Sequence, residues 1–367
     1  MTGFHCKDTK KTLLFSLFSY LFSTFAPMKH PAKNDIAVLL LFFTRSDTFQ
    51  QVFNEVKKAR PSRLFLFQDG PRGERDLAGI EACRQIVADD QIDWECEVHR
   101  NYQEKNLGCM VAGYTSHQWA FSLADKCMVL EDDVVPSQSF FPFCKEMLDK
   151  YENDERITMV AGFNVDEVTP NVPYDYFFTS AFSIWGWASW RRVVQQWDRE
   201  YSFLNDDFSM QQLEALIRQR GYRKSFIQMC KDHRDSGHPQ FESVFWATML
   251  FNSGLAVMPT KNMINNVGAS ADSAHYSEFK TLPSRIKRLF TMNRYDIDFP
   301  LKHPRYVIEE VGYWKRFYQA NGWGCPWVKI GRSLEELWLN IRYGNWAFIG
   351  KSIARRLRIL TAQEKFS

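Results

Sequence analysis

No two cysteines in the sequence stand at CxxC spacing, although there are eight: Cys6, Cys83, Cys96, Cys109, Cys127, Cys144, Cys230 and Cys325. That scatter argues against a structural zinc framework. With apolar or helix-patterned neighbours, the thiols read as reduced groups of a cytoplasmic protein rather than a disulfide set. An excess of one charge is also lacking. The formal net charge of +3 is too small to point to nucleic acid. The apolar run Leu13 to Ala26, behind Lys10 and Lys11, is short for a transmembrane helix. It resembles a signal-peptide core, yet no A-x-A site follows. Met28 offers a second start, so residues 1–34 read as a leader outside the fold, with weak membrane contact as the other reading. Repeats and low-complexity blocks are missing too, which leaves an ordinary globular chain. Its one excess is aromatic, at 16% with 12 Trp and 31 Phe. Such a load suits a heavy core, and equally sugar rings or a membrane interface.

From Asp35 onward the pattern is α/β. Ile36–Phe43 is a continuous apolar run, as expected of a parallel strand buried on both faces. Thr44-Arg45-Ser46-Asp47 interrupts it before a helix through Lys58. Leu64–Phe67 is a second strand, stopped by Gln68-Asp69-Gly70-Pro71. A helix at Ile80–Ala88, a strand around Trp94–His99, a loop Asn101–Gly108 and a helix Met110–Leu123 follow. Lys126–Leu130 is the fourth strand, ending in Glu131-Asp132-Asp133. This alternation predicts a mainly parallel sheet flanked by helices, with ligands bound beyond the C-terminal strand ends. Later elements are a helix Phe141–Tyr151, a strand Thr158–Gly162, an aromatic stretch Tyr174–Trp197 and helices over Leu204–Cys230. Then come a helix Glu242–Asn252, a strand Leu255–Pro259 and a loop Asn265–His275. The nucleotide-binding half is expected over 35–135, the acceptor half over 136–280, and a basic, aromatic, helical extension over 281–367. In that extension a helix Trp346–Leu360 sets Lys351, Arg355, Arg356 and Arg358 beside apolar residues. It can lie on an anionic membrane or pack on the domain.

Three adjacent carboxylates at a strand end repel one another and are best tolerated beside a cation. Mg²⁺ or Mn²⁺ there could bridge one or two of them to a diphosphate. The plain alternative is a solvated acidic turn. The stretch LEDDVVPSQSFFPFCKEMLDKY resembles the acidic-motif region of bacterial GT-A glycosyltransferases. It is also similar to the Golgi N-acetylglucosaminyltransferase that begins complex N-glycans. The resemblance spans about Ile36 to His275, with the motifs in the family's order, and implies a GT-A fold and metal-dependent, inverting sugar transfer. By it, Asp133 binds the metal, Asp132 approaches the donor's ribose or sugar, and Glu131 completes the donor-side triplet. Gln68-Asp69-Gly70 is similar to a loop whose aspartate reads the uracil edge, through the N3–H a carboxylate can accept. Thr44-Arg45 resembles a post-strand pair that faces uridine or phosphate, although the family more often has Asn where Thr44 stands. Asn106-Leu107-Gly108 resembles the turn before the helix under the pyrophosphate. Trp185-Gly186-Trp187 resembles a segment that shapes acceptor pockets. Glu242 stands where similar enzymes place the base, with Asp198 and Asp235 as alternatives. Asn265-Asn266-Val267-Gly268 followed by His275 resembles an ending whose histidine completes the metal shell.

Each of these residues also has a structural explanation, from strand-ending turn to core tryptophan. The resemblance implies a UDP-sugar donor and a glycan or lipid-linked glycan acceptor such as lipopolysaccharide. One rival is a sugar-nucleotide pyrophosphorylase, which carries a Gly-rich loop where this chain has FFTRSDTFQQ. Another is a non-catalytic protein that holds glycans on its tryptophans.

Overall fold

The computed structural model describes residues 29–217, 219–269, 279–346 and 348–350. The leader, His275 and most of the expected helix Trp346–Leu360 lie outside them. The strands are β1 (Asn34–Phe42), β2 (Pro61–Gln68), β3 (Glu97–Tyr102), β4 (Lys126–Glu131), β5 (Val134–Pro136), β6 (Ile157–Ala161), β7 (Tyr176–Thr179), β8 (Trp187–Trp190), β9 (Leu255–Pro259) and β10 (Ile264–Asn266). The first four helices are α1 (Ser46–Ala59), α2 (Leu77–Ile86), α3 (Cys109–Leu123) and α4 (Phe140–Lys150). After them come α5 (Arg191–Val194), α6 (Asp207–Leu216), α7 (Arg220–Asp235), α8 (Phe241–Phe251), α9 (Ser284–Thr291), α10 (Val311–Ala320) and α11 (Pro326–Arg342).

Eight strands form one mainly parallel sheet in the order β3-β2-β1-β4-β8-β6-β9-β7, a Rossmann-like α/β arrangement. The chain builds outward from β1 through β2 to β3, then returns to place β4 on β1's other side. That reversal makes a topological switch point at the C-terminal ends of β1 and β4, where doubly wound sheets hold ligands. Register sets the height of the residues there: Leu41 pairs with Glu131, and Phe42 with Gln68.

The local causes are plain. β1 is apolar along most of its length because helices cover both its faces, and Val38, Leu39 and Leu40 have no exposed surface. α1 buries Phe49, Val52, Phe53 and Val56 on one stripe. It ends at Arg60, whose left-handed backbone (φ 45°) returns the N–H to Val56 O at 2.9 Å.

The structure differs from the sequence reading mainly in the second half. The aromatic stretch contains two strands, β7 and β8, and β8 inserts antiparallel between β4 and β6. All four residues of each are buried, so neither shows the alternation that marks a strand. The third strand begins at Glu97 rather than near Trp94. Trp94 is fully buried instead, donating from its indole to Pro61 O at 2.8 Å. Part of the expected loop Asn265–His275 is strand β10, paired antiparallel with β5. Segments after residue 281 also join the main core. Tyr313 is fully buried against Phe177, and Asp296 accepts from Ser139 N at 2.9 Å.

Candidate functional site

The carboxylate triplet forms the tight turn that joins β4 to β5. Asp132 points back under β1. Its Oδ2 accepts from Phe43 N at 3.2 Å, and its Oδ1 pairs with Arg45 Nη2. The same Arg45 nitrogen lies 2.9 Å from Asp133 Oδ2, so one guanidinium bridges both aspartates. The side chains keep only 7% (Asp132), 12% (Asp133) and 24% (Arg45) of their exposure, so the cluster is largely withdrawn from water. Burial lifts the Asp132 carboxyl to about 6 despite Arg45, with Asp133 adding to the rise. Burial alone would lower the Arg45 pKa, but Asp132 and Asp133 outweigh it and raise it.

Strand β10 closes the cluster from the far end of the chain. Val267 N donates to Asp133 O at 2.8 Å, and Asn266 Nδ2 lies 3.4 Å from Asp133 Oδ1. Gly268 then passes directly against the carboxylate. A Cβ there would overlap Asp133 Oδ2 and sit 2.7 Å from its Cγ and 2.9 Å from Arg45 Nη1. A side chain there would push the Asp133 carboxylate and Arg45 out of their present positions.

Glu131, half-buried beside this pair, is lifted well above the usual carboxylate range by burial, then by Asp133, Glu242 and Asp132, against Arg45. Glu242 therefore belongs to the same neighbourhood, at the start of α8. Its place depends on α3, where Gly113 lets Phe241 pack in: a Cβ would lie 2.8 Å from Phe241 Cδ1. His117, one turn on from Gly113, stacks between Phe241 and Trp187 with ring centroids 4.5 and 5.2 Å away.

Asp69 has a different setting. Its Oδ1 accepts from Gly70 N (2.8 Å) and Leu107 N (2.7 Å). Its Oδ2 accepts from Asn106 Nδ2 (2.9 Å) and Gly108 N (3.1 Å). Two donors on each oxygen fill a carboxylate's ordinary capacity, and they tie the loop after β2 to the loop before α3. Gly108, at φ 79°, turns the chain into α3, whose first turn has no side-chain cap. Gln68 works behind them, donating to Phe43 O (2.9 Å) and Ile80 O (3.0 Å) and accepting from Arg84 Nε (2.8 Å).

The structure thus brings Arg45, Glu131, Asp132, Asp133 and Glu242 together, with Asp69, Asn106 and Gly108 as one bonded loop unit at the same sheet edge. Thr44 packs its backbone on α2, where a Cβ on Gly79 would meet Thr44 O at 2.7 Å. The tryptophan segment divides. Trp187 has no exposed surface, so its place is the core and not an acceptor pocket. Gly186 (φ 64°) is required because a Cβ would strike Ile264, 2.8 Å from its Cγ1. Trp185 stays half-buried, against Phe163 and Phe290. Of the alternative bases, Asp198 caps a turn through Ser202 N (2.6 Å) and Asp235 pairs with Arg234 (3.0 Å). Sequence reasoning missed Asn266 as a partner of Asp133 and Gly113 as the seat of Phe241. The Asn-Val-Gly segment was the signal for the first.

No protein-family model matches the chain, and no curated protein does. Among solved structures it is similar to the inositol-1-phosphate CTP transferase from T. maritima, at 10% identity and a TM-score of 0.28, covering 45% of this chain and 74% of that one. HddC from Yersinia pseudotuberculosis matches at 11% identity and a TM-score of 0.28, covering 44% and 79%. At such TM-scores neither likeness extends to family or activity, and what the site can do follows from its own residues.

Proposed function

We propose that the chain is a glycosyltransferase of the GT-A kind. It would move a sugar from a UDP-sugar to a hydroxyl of a glycan or lipid-linked glycan, with inversion. One observation carries this reading: a cation–carboxylate cluster, Arg45 with Asp132 and Asp133, sits at the switch point beyond the C-terminal ends of β1 and β4 and is covered by Gly268. A diphosphate placed there meets Arg45 and the uncapped first turn of α3, both of which favour an anion.

The donor set suits a hard divalent ion. Asp133 offers carboxylate oxygen, and among the described residues no three His, Cys, Asp or Glu side chains converge to cage a metal. Mg²⁺ or Mn²⁺ would therefore be held by Asp133 together with substrate phosphates, a common arrangement for Mg²⁺. His275 is the further candidate ligand. Such an ion supplies charge neutralisation as the nucleoside diphosphate leaves.

The chain's own residues account for the rest. Arg45 orients the diphosphate. The anomeric carbon loses its phosphate oxygen and bonds the acceptor oxygen from the opposite face, and Glu242 takes the acceptor proton. Trp185 lines the acceptor side. Asp69 reads the uracil N3–H only if one of its four present donors gives way. The reading is tested by calorimetric titration with UDP, with and without Mn²⁺, on the wild type and Asp133→Ala. Metal-dependent binding lost in the variant supports it. Binding of another nucleoside diphosphate in place of UDP removes Asp69 as the base reader. If no nucleotide binds with any metal, the reading fails and a non-catalytic glycan-binding role replaces it.

A further inference from the structure

Helix α11 is mounted with its apolar face outward. At 3.6 residues per turn, Trp327, Ile330, Leu334, Leu337, Trp338 and Ile341 fall within an arc of about 100°. All six are exposed, from 44% at Leu337 to 80% at Trp327. The inward side is mixed, with Leu339 buried at 8% exposure among polar groups. Glu335 accepts from Ser284 N (2.9 Å) and Oγ (2.7 Å), and Lys329 lies over the Trp323 ring at 3.5 Å. Asn340 is 2% exposed and donates to Glu336 O at 2.7 Å. A surface helix of a globular protein ordinarily shows the reverse. The Glu335–Ser284 contact and the burial of Leu339 hold the helix in this orientation. Tyr343 (45%) and Trp346 (65%) carry the exposed aromatic surface past the helix end.

We propose that α11 is a docking face for an anionic phospholipid surface, on which it lies flat. Two observations select that occupant. The face is contiguous, apolar and tryptophan-rich, the composition that seats in the headgroup boundary. The positive charge comes from the sequence that follows: Arg342 and Glu335 both border the arc, and the sequence beyond residue 350 holds Lys351, Arg355, Arg356, Arg358 and Lys365 against Glu364 alone. No helix among the described residues is long and apolar enough to cross a membrane, so the contact is peripheral. This proposal is independent of the nucleotide site.

The test is co-sedimentation of the full chain with phosphatidylcholine vesicles and with vesicles that also contain phosphatidylglycerol, at low and high salt. The wild type binds the anionic vesicles, and less so in high salt. The double variant Leu334→Ser/Trp338→Ser loses at least tenfold in binding while its melting temperature stays unchanged. Ile330→Lys, one turn away on the same face, repeats the test if the double variant is unstable. Wild-type chain left in the supernatant overturns the proposal, as does a folded variant that binds as well as wild type. A dimer that the same substitutions dissolve, without vesicle binding, assigns the face to a second copy and overturns it equally.

Discussion

At the edge of the sheet, Asp132 and Asp133 are polar groups withdrawn from water, and the chain satisfies them from within through Arg45, Phe43 N and Asn266. Along α11, Trp327 and Leu334 are apolar groups that the described residues leave exposed, at 80% and 62%. Both regions invert the usual arrangement, in opposite directions. Their energetics differ accordingly. Burying charge costs desolvation that only specific partners offset, so the first region is bound up with the stability of the fold. Exposed apolar area costs the folded chain little, so the second can be changed without unfolding it.

Substitutions can break or sharpen that contrast, and the largest effect is expected behind the site. A Cβ on Gly70 would overlap the Lys105 backbone, 2.6 Å from its nitrogen, and no side chain can swing away to relieve it. Gly70→Ala should cost about 4 kcal/mol in urea unfolding and should weaken nucleotide binding by displacing Asp69. Next comes Arg45→Met, which strands two largely buried carboxylates. It should cost about 3 kcal/mol, and part of that should return when Asp132→Asn is added. Full additivity of the two changes would show that the ion pair carries no coupling.

His117 comes third and depends on pH. It is fully buried, and burial lowers its pKa to about 4, against a smaller rise from its bond to Gly113 O. The unfolded chain takes up that proton near pH 6.5 and the folded chain does not. Stability is thus complete above pH 6.5 and falls toward pH 4, by about 3 kcal/mol at most. His117→Phe should flatten that limb of the stability–pH curve, while an unchanged slope would place the titration elsewhere. The smallest change in stability, under about 0.5 kcal/mol, is expected of Trp338→Ser on α11. If it lowered the melting temperature strongly, α11 would belong with the sheet edge and the contrast would collapse.

Much of the first half of the fold was legible in sequence, because β1, β2 and β4 are unbroken apolar runs with turn residues at their ends. The edge where Arg45, Asp69 and Glu131 gather followed from that alternation. What escaped was long-range. Nothing local in Trp187–Trp190 marks a strand inserted beside β4, since burial on both faces erases alternation. Trp187 looked available to a ligand because an aromatic cluster carries no sign of which ring faces inward. The mounting of α11 depends on Ser284, far away in sequence, which donates to Glu335, so helix periodicity alone predicts the opposite orientation.

The pairing of β5 with β10 has a consequence for how the protein is made. Asp133 is translated long before Asn266 and Gly268, its covering residues, leave the ribosome. Until they return, the carboxylate has Arg45 beside it but not the segment that covers it. Contacts so distant along the chain form late, because the entropy of closing the intervening loop must first be overcome. A chain that ends before residue 264 would lack β10, and Asp133 would then lack Asn266 and Gly268.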